Sequence, residues 1–101
     1  MDKNKPVSVV IKKSSKPEKK LMAIFTLKNG RKRTTHFGAS GMDDYTKTRN
    51  KEQKQRYLKR HRRNENWNNP LSAGALSRWI LWNKETRGAS ITAYKTRFNL
   101  K

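Results

Sequence analysis

The chain has 101 residues, with 26 Lys/Arg against seven Asp/Glu for a formal net charge of +19, and 32% of it is hydrophobic. That length accommodates one domain. The absence of cysteine, with only two histidines, excludes disulfides, cysteine-based zinc sites and His-rich metal sites. No run approaches the roughly 18 apolar residues of a membrane span. The N-terminus lacks the apolar segment of a secretory signal, so an intracellular or virion-internal protein with no membrane partner is expected. High charge with low hydropathy leans toward disorder, but nine aromatics, with all three Trp beyond residue 66, argue for a small folded domain with a thin core.

Val7–Lys12 (VSVVIK) is β-branched and reads as a short strand. Residues 13–20 (KSSKPEKK) are a polar, Pro-containing connector, and Leu21–Lys28 reads as a second strand. Asn29-Gly30 is a strong hairpin signal, because a two-residue type I′ turn needs positive φ at both central positions. Arg31–Phe37 is then the returning strand. That turn pairs Leu27 with Lys32, Phe25 with Thr34 and Met22 with Phe37. The expected core face is Met22, Ile24, Thr35 and Phe37, with Phe25, Leu27, Lys32 and Thr34 opposite.

A Gly-containing loop, GASGMDDYTKT over residues 38–48, precedes a helix running to about Arg62. Asp43 and Asp44 suit its positive N-terminal end, and Thr46 or Thr48 is the expected cap. Tyr57, Leu58 and His61 form a narrow contact stripe, with Arg49, Arg56, Lys59, Arg60 and Arg63 clustered opposite. NENWNN, residues 64–69, breaks the pattern. Pro70 suits the first position of a new helix, whose apolar stripe is Leu71, Ala75, Leu76, Trp79 and Ile80. Thr86 is the expected cap of a last helix carrying Ile91, Tyr94 and Phe98. The fold class is therefore α+β: an N-terminal β-hairpin or three-stranded meander followed by three helices. Residues 1–20 form a basic N-terminal arm with a short strand, and residues 21–101 the domain.

The charge is concentrated. Residues 49–63 (RNKEQKQRYLKRHRR) hold eight Lys/Arg against one Glu. A solvated helix face usually mixes signs to form i, i+4 pairs, and this one does not. Cations three and four residues apart can meet successive phosphates. The candidate contact residues here are Arg49, Arg56, Lys59, Arg60, Arg62 and Arg63. At the hairpin tip they are Arg31, Lys32 and Arg33, where the alternative is an edge strand protected by charge. The lysines from Lys3 to Lys20 would serve as a flexible arm or as a solubilising tail. Trp79 belongs to the core stripe, Trp82 lies at its edge, and Trp67 is either a base-stacking residue or a core plug.

Catalytic patterns are thin. Asp44 followed by Glu52 and Lys54 loosely matches the D…ExK spacing of metal-dependent nucleases, but ExK arises by chance in a lysine-rich helix. His36 and His61 have no matched Asp, Ser or Cys constellation, and no phosphate-binding GxxxxGK[ST] loop is present. A non-enzymatic protein without cofactor is expected.

Several segments resemble a small basic protein family of the large nucleocytoplasmic DNA viruses. They are His36-Phe37-Gly38, Asp44-Tyr45-Thr46, the RYLKRH run from Arg56 to His61, Glu65 and Trp67, Ala73–Asn83 (AGALSRWILWN), Tyr94 and Arg97-Phe98. The resemblance spans about residues 22–100 and implies a viral origin in a family of unknown function, with no catalytic residues to carry over. It also implies residence in the virion, host nucleus or cytoplasmic virus factory. It suggests one core of Tyr45, Tyr57, Trp67, Trp79, Ile80 and Phe98, with Arg56, Arg60 and Arg78 either making contacts or paired with Asp43, Asp44 or Glu65.

The expected function is sequence-independent binding of nucleic acid through phosphates, DNA in preference to RNA, in viral genome organisation or packaging. The alternative is a virion interaction protein docking an acidic protein partner. An exposed Trp82 or a free hairpin edge would support a homodimer.

Overall fold

The computed structural model describes residues 5–63 and 65–101; residues 1–4, with Lys3 of the basic arm, and Asn64 of the NENWNN segment lie outside it. Strands β1 (Pro6–Lys13), β2 (Lys19–Leu27) and β3 (Lys32–Ala39) form an antiparallel sheet in the order β1-β2-β3. Helices α1 (Tyr45–Thr48), α2 (Lys51–His61), α3 (Ala73–Leu76, continued by a π-helical turn over Ser77–Leu81) and α4 (Arg87–Arg97) follow. The class is α+β with a full meander. Residues 6–13 of the presumed arm are a paired strand, whose Val9 is buried. Its outer edge takes the C-terminal residue: Val9 N donates to the Lys101 carbonyl and Lys101 N to that of Val7, both at 3.1 Å.

The hairpin register differs from expectation by one residue. Leu21 lies opposite Phe37, Ala23 opposite Thr35 and Phe25 opposite Arg33. The tip is a three-residue loop. Gly30 N donates to the Leu27 carbonyl (2.9 Å), Leu27 N to the Arg31 carbonyl (2.8 Å), and Arg31 N to Asn29 Oδ1 (2.9 Å). Gly30 alone in the tip takes positive φ (88°), so the turn is not type I′. A one-residue slip exchanges the faces of the sheet. The buried face is Leu21, Ala23, Phe25 and Leu27 with Phe37, while Met22 and Ile24 lie on the outer face. The physical reason is burial: this register sets two leucines and two phenylalanines on one side, which the expected one divides between both.

The inner face meets a helical layer contributing Leu76, Ile80, Leu81, Tyr94 and, past α4, Leu100. Thr35 Oγ1 fastens the sheet to the helical side by donating to the Leu71 carbonyl (2.8 Å), and within that side the buried Tyr94 hydroxyl donates to the Pro70 carbonyl (2.7 Å). Gly38, at φ 78°, lies so close to the helices that an added Cβ would sit 2.8 Å from Leu81 Cδ1.

The expected helix running to about Arg62 is present as α2, and a separate short helix, α1, occupies the end of the segment expected as a loop. Asp44 caps α1, accepting from Thr46 N, and Arg49 closes it in the left-handed region (φ 55°). Asn50 then caps α2 through Gln53 N at 3.0 Å. The caps are thus Asp44 and Asn50 rather than Thr46 or Thr48. Pro70 stays in a turn, and Ser72 starts α3 by accepting from Ala75 N. Thr86 caps α4 as expected.

Candidate nucleic-acid interface

Helix α2 presents its cations because few groups hold it. Tyr57 is its one buried residue, with Leu58 and His61 half-buried beside it. The Tyr57 ring stacks on Trp82 (4.4 Å between centroids, planes 8° apart) and on His61 (4.2 Å, 27°). Rings of this size cannot share one face of Tyr57, so the three form a column. Burial, reinforced by Glu65, pushes the Tyr57 phenol well above its usual range. Lys54 fixes the first turn, donating to the Asn83 carbonyl at 2.8 Å with its ammonium 4.8 Å from the centre of the Tyr45 ring. Burial, then neighbouring Arg78, lowers its pKa.

Arg56, Lys59, Arg60, Arg62 and Arg63 are all exposed, as is Arg49 at the joint between α1 and α2. Arg56, Lys59, Arg62 and Arg63 rim a shallow depression floored by Leu58. Lys59 and Arg60 in the last turn also oppose the negative end of the helix dipole. Arg31, Lys32 and Arg33 are exposed at the tip, where Lys32 Nζ donates to Thr26 Oγ1 at 2.6 Å. Among the described residues, none of these nine cations lies in an ion pair.

The carboxylates considered as partners from the sequence are engaged elsewhere. Asp44 is buried and bonded to Lys20 Nζ (2.5 Å) and to Thr46. Burial alone would raise its pKa, but the bonds from Lys20 and Thr46 outweigh that and hold the carboxyl below the usual 3.8. Asp43 pairs with Lys47, and Glu65 with His61. Arg60 and Arg78 therefore have no carboxylate partner of the kind considered from sequence. Of the loosely nuclease-like residues, Asp44 caps α1 and Lys54 anchors α2, while Glu52 is exposed in the first turn of α2.

The tryptophans divide. Trp82 is buried. Trp79 is half-buried; its Nε1 donates to the Trp67 carbonyl (2.8 Å), and the guanidinium carbons of Arg97 and Arg78 lie 3.6 and 4.2 Å from its ring centre. Trp67 is half-buried, with Nε1 bonded to Glu65 Oε1 at 3.0 Å and Arg78 against its ring. Burial, then Arg97, lowers the Arg78 pKa. Arg78 Nη1 donates to the Trp82 carbonyl, so this arginine holds the end of the π turn.

The structure does not unite the two predicted basic clusters. Arg56 and Arg60 adjoin Gly41 and Met42, just past the C-terminal end of β3, whereas Arg31, Lys32 and Arg33 lie at its other end. A basic groove that sequence reasoning assigned to a flexible arm is instead built into the sheet. Lys12, Lys13, Lys16 and Lys19 line it, with Arg87 of α4 opposite. The alternating strand pattern of VSVVIK was the signal for it.

One family model, described as a family of unknown function, matches residues 9–61. The match runs from β1 to the end of α2, includes the HFG, DYT and RYLKRH segments, and stops before Ala73–Asn83. No curated protein and no solved structure matches the chain. With more than half of its length matched, the chain belongs to the family of unknown function DUF5754.

Proposed function

We propose that this protein is a non-enzymatic nucleic-acid-binding protein that holds double-stranded DNA through its phosphates, without sequence preference. The observation that carries the reading is the state of nine cations: Arg31, Lys32, Arg33, Arg49, Arg56, Lys59, Arg60, Arg62 and Arg63 are exposed, and none is ion-paired among the described residues. Cations left without internal counterions repel one another, and a polyanion relieves that repulsion by displacing condensed ions from its own backbone. The resemblance of the HFG, DYT and RYLKRH segments to proteins of large DNA viruses supports a place in viral genome organisation or packaging.

The test is a salt titration of nuclease-treated protein on random-sequence duplex DNA, with single-stranded DNA and RNA alongside. About six neutralised phosphates give a log–log slope near −5. Replacing Arg56, Lys59, Arg60 and Arg63 by Ala flattens it while thermal unfolding stays cooperative. Weak binding to all three ligands would overturn the reading and transfer the basic face to an acidic protein partner.

A further inference from the structure

We infer that one molecule carries two separate nucleic-acid footprints and bridges two duplex segments; the inference rests on the nucleic-acid reading above. The α2 patch adjoins the C-terminal end of β3, because Arg56 and Arg60 line a depression with Gly41 and Met42. The same end of β2 faces α2, where Lys19, Lys20, Gly38 and Ala39 share a cleft with Tyr57, Arg60 and His61. The second patch, Arg31, Lys32 and Arg33, occupies the opposite end of this antiparallel pair. Exposed Lys5 adjoins it through its carbonyl bond to Lys28 N at 2.8 Å. The seven residue steps of β2 from Lys20 to Leu27 separate the ends by about 23 Å.

What lies between the ends decides between one long footprint and two. The inner face is covered by the helical layer. On the outer face, direct cross-strand neighbours form rows: Ser8, Thr26 and Lys32 nearest the tip, then Val10, Ile24 and Thr34, then Lys12, Met22 and His36. The middle row is uncharged, and Val10 is 57% exposed. A duplex laid along this face would desolvate phosphates against Val10 and Ile24 with no cation to compensate them. Two duplexes, one at each end, meet the clustered cations of the tip and of the α2 patch, where Asp43 is paired with Lys47. A monomer with two such ends links separate strands of a genome without dimerising, and the linkage gains from effective concentration once one end is held.

The experiment immobilises one random-sequence duplex on beads and measures co-capture of a second, fluorescent duplex as protein is titrated in. Co-capture is expected to rise, then fall when excess protein occupies every duplex separately. The R31A/K32A/R33A variant should keep binding the immobilised duplex while losing about tenfold or more of the co-capture. K84A/R87A removes charge at exposed sites outside both patches and should retain it. Wild-type capture on the beads without co-capture would overturn bridging while leaving the nucleic-acid reading intact. Equal loss in both variants, or full retention in the tip variant, would overturn the two-patch assignment. No capture at all would overturn both readings.

Discussion

Tyr57 stacks on Trp82 with ring centres 4.4 Å apart and planes 8° from parallel, and this contact ties the basic helix to the segment that follows the π turn. Tyr57 is the one buried side chain of α2, so the helix depends on it. Tyr57→Ala should cost about 3–4 kcal/mol, since it removes an aromatic from both the core and the stack. Tyr57→Phe retains both rings' packing and should cost under about 1 kcal/mol. Urea denaturation of the two variants measures the difference. If both unfold at the wild-type midpoint, the column does not anchor α2.

The Lys20–Asp44 pair should make acid a selective denaturant. Asp44 has a folded pKa below the ordinary 3.8. Its stabilisation is therefore complete above that ordinary value and is lost as pH falls through the lowered one. Wild-type unfolding midpoints should drop as pH falls from about 4 toward 2, and Asp44→Asn should flatten this limb. Asn still caps a helix, so that variant isolates the charge. Asp44→Ala loses both roles and leaves Lys20 unpaired, at about 3 kcal/mol.

Two glycines with positive φ should respond unequally to alanine. At Gly30 (φ 88°) nothing lies within 4 Å of an added Cβ, so only the backbone conformation is strained. The cost should be about 1 kcal/mol. At Gly38 (φ 78°) the Cβ would also meet Leu81 Cδ1 at 2.8 Å and Lys20 Cβ at 3.3 Å. Overpacking then adds to strain, for about 3 kcal/mol in all. Calorimetric melting of the pair tests this, and equal shifts would contradict the close approach.

Trp79→Phe tests the cation cluster beside the π turn. Phenylalanine keeps a ring for Arg78 and Arg97 but loses the Nε1 bond to the Trp67 carbonyl. A loss of about 1–2 kcal/mol is expected. Amide exchange over residues 66–69 should speed up as their loop loosens, and unchanged exchange would show that the bond does not hold the loop.

Much of this arrangement was legible in the sequence. The strand patterns, the Tyr57–Leu58–His61 stripe and the Thr86 cap follow from local periodicity and capping chemistry, which act over a few residues. The register did not, because Asn29-Gly30 is compatible with both a two-residue turn and the observed three-residue loop. The competition was settled by what the far ends of the strands bury, Leu21 and Phe37 above all. The short helix α1 was likewise hidden: residues 45–48 read as the end of a loop, and they turn into a helix where Asp44 caps them and Tyr45 is buried. Of the candidate interface, exposure of the cations was readable from the helical wheel. The separation of the tip from α2 was not, since it depends on which end of the sheet the helix returns to.

The unpaired cations also give this protein two opposite responses to ionic strength. In the free domain, added salt screens like charges within a Debye length of about 8–10 Å and should raise the melting temperature. In a DNA complex the same salt removes the ligand that stabilises the fold, so the melting temperature of the bound protein should fall. The two melting curves converge as salt rises, and the salt concentration at which they meet is where DNA ceases to be the better counterion.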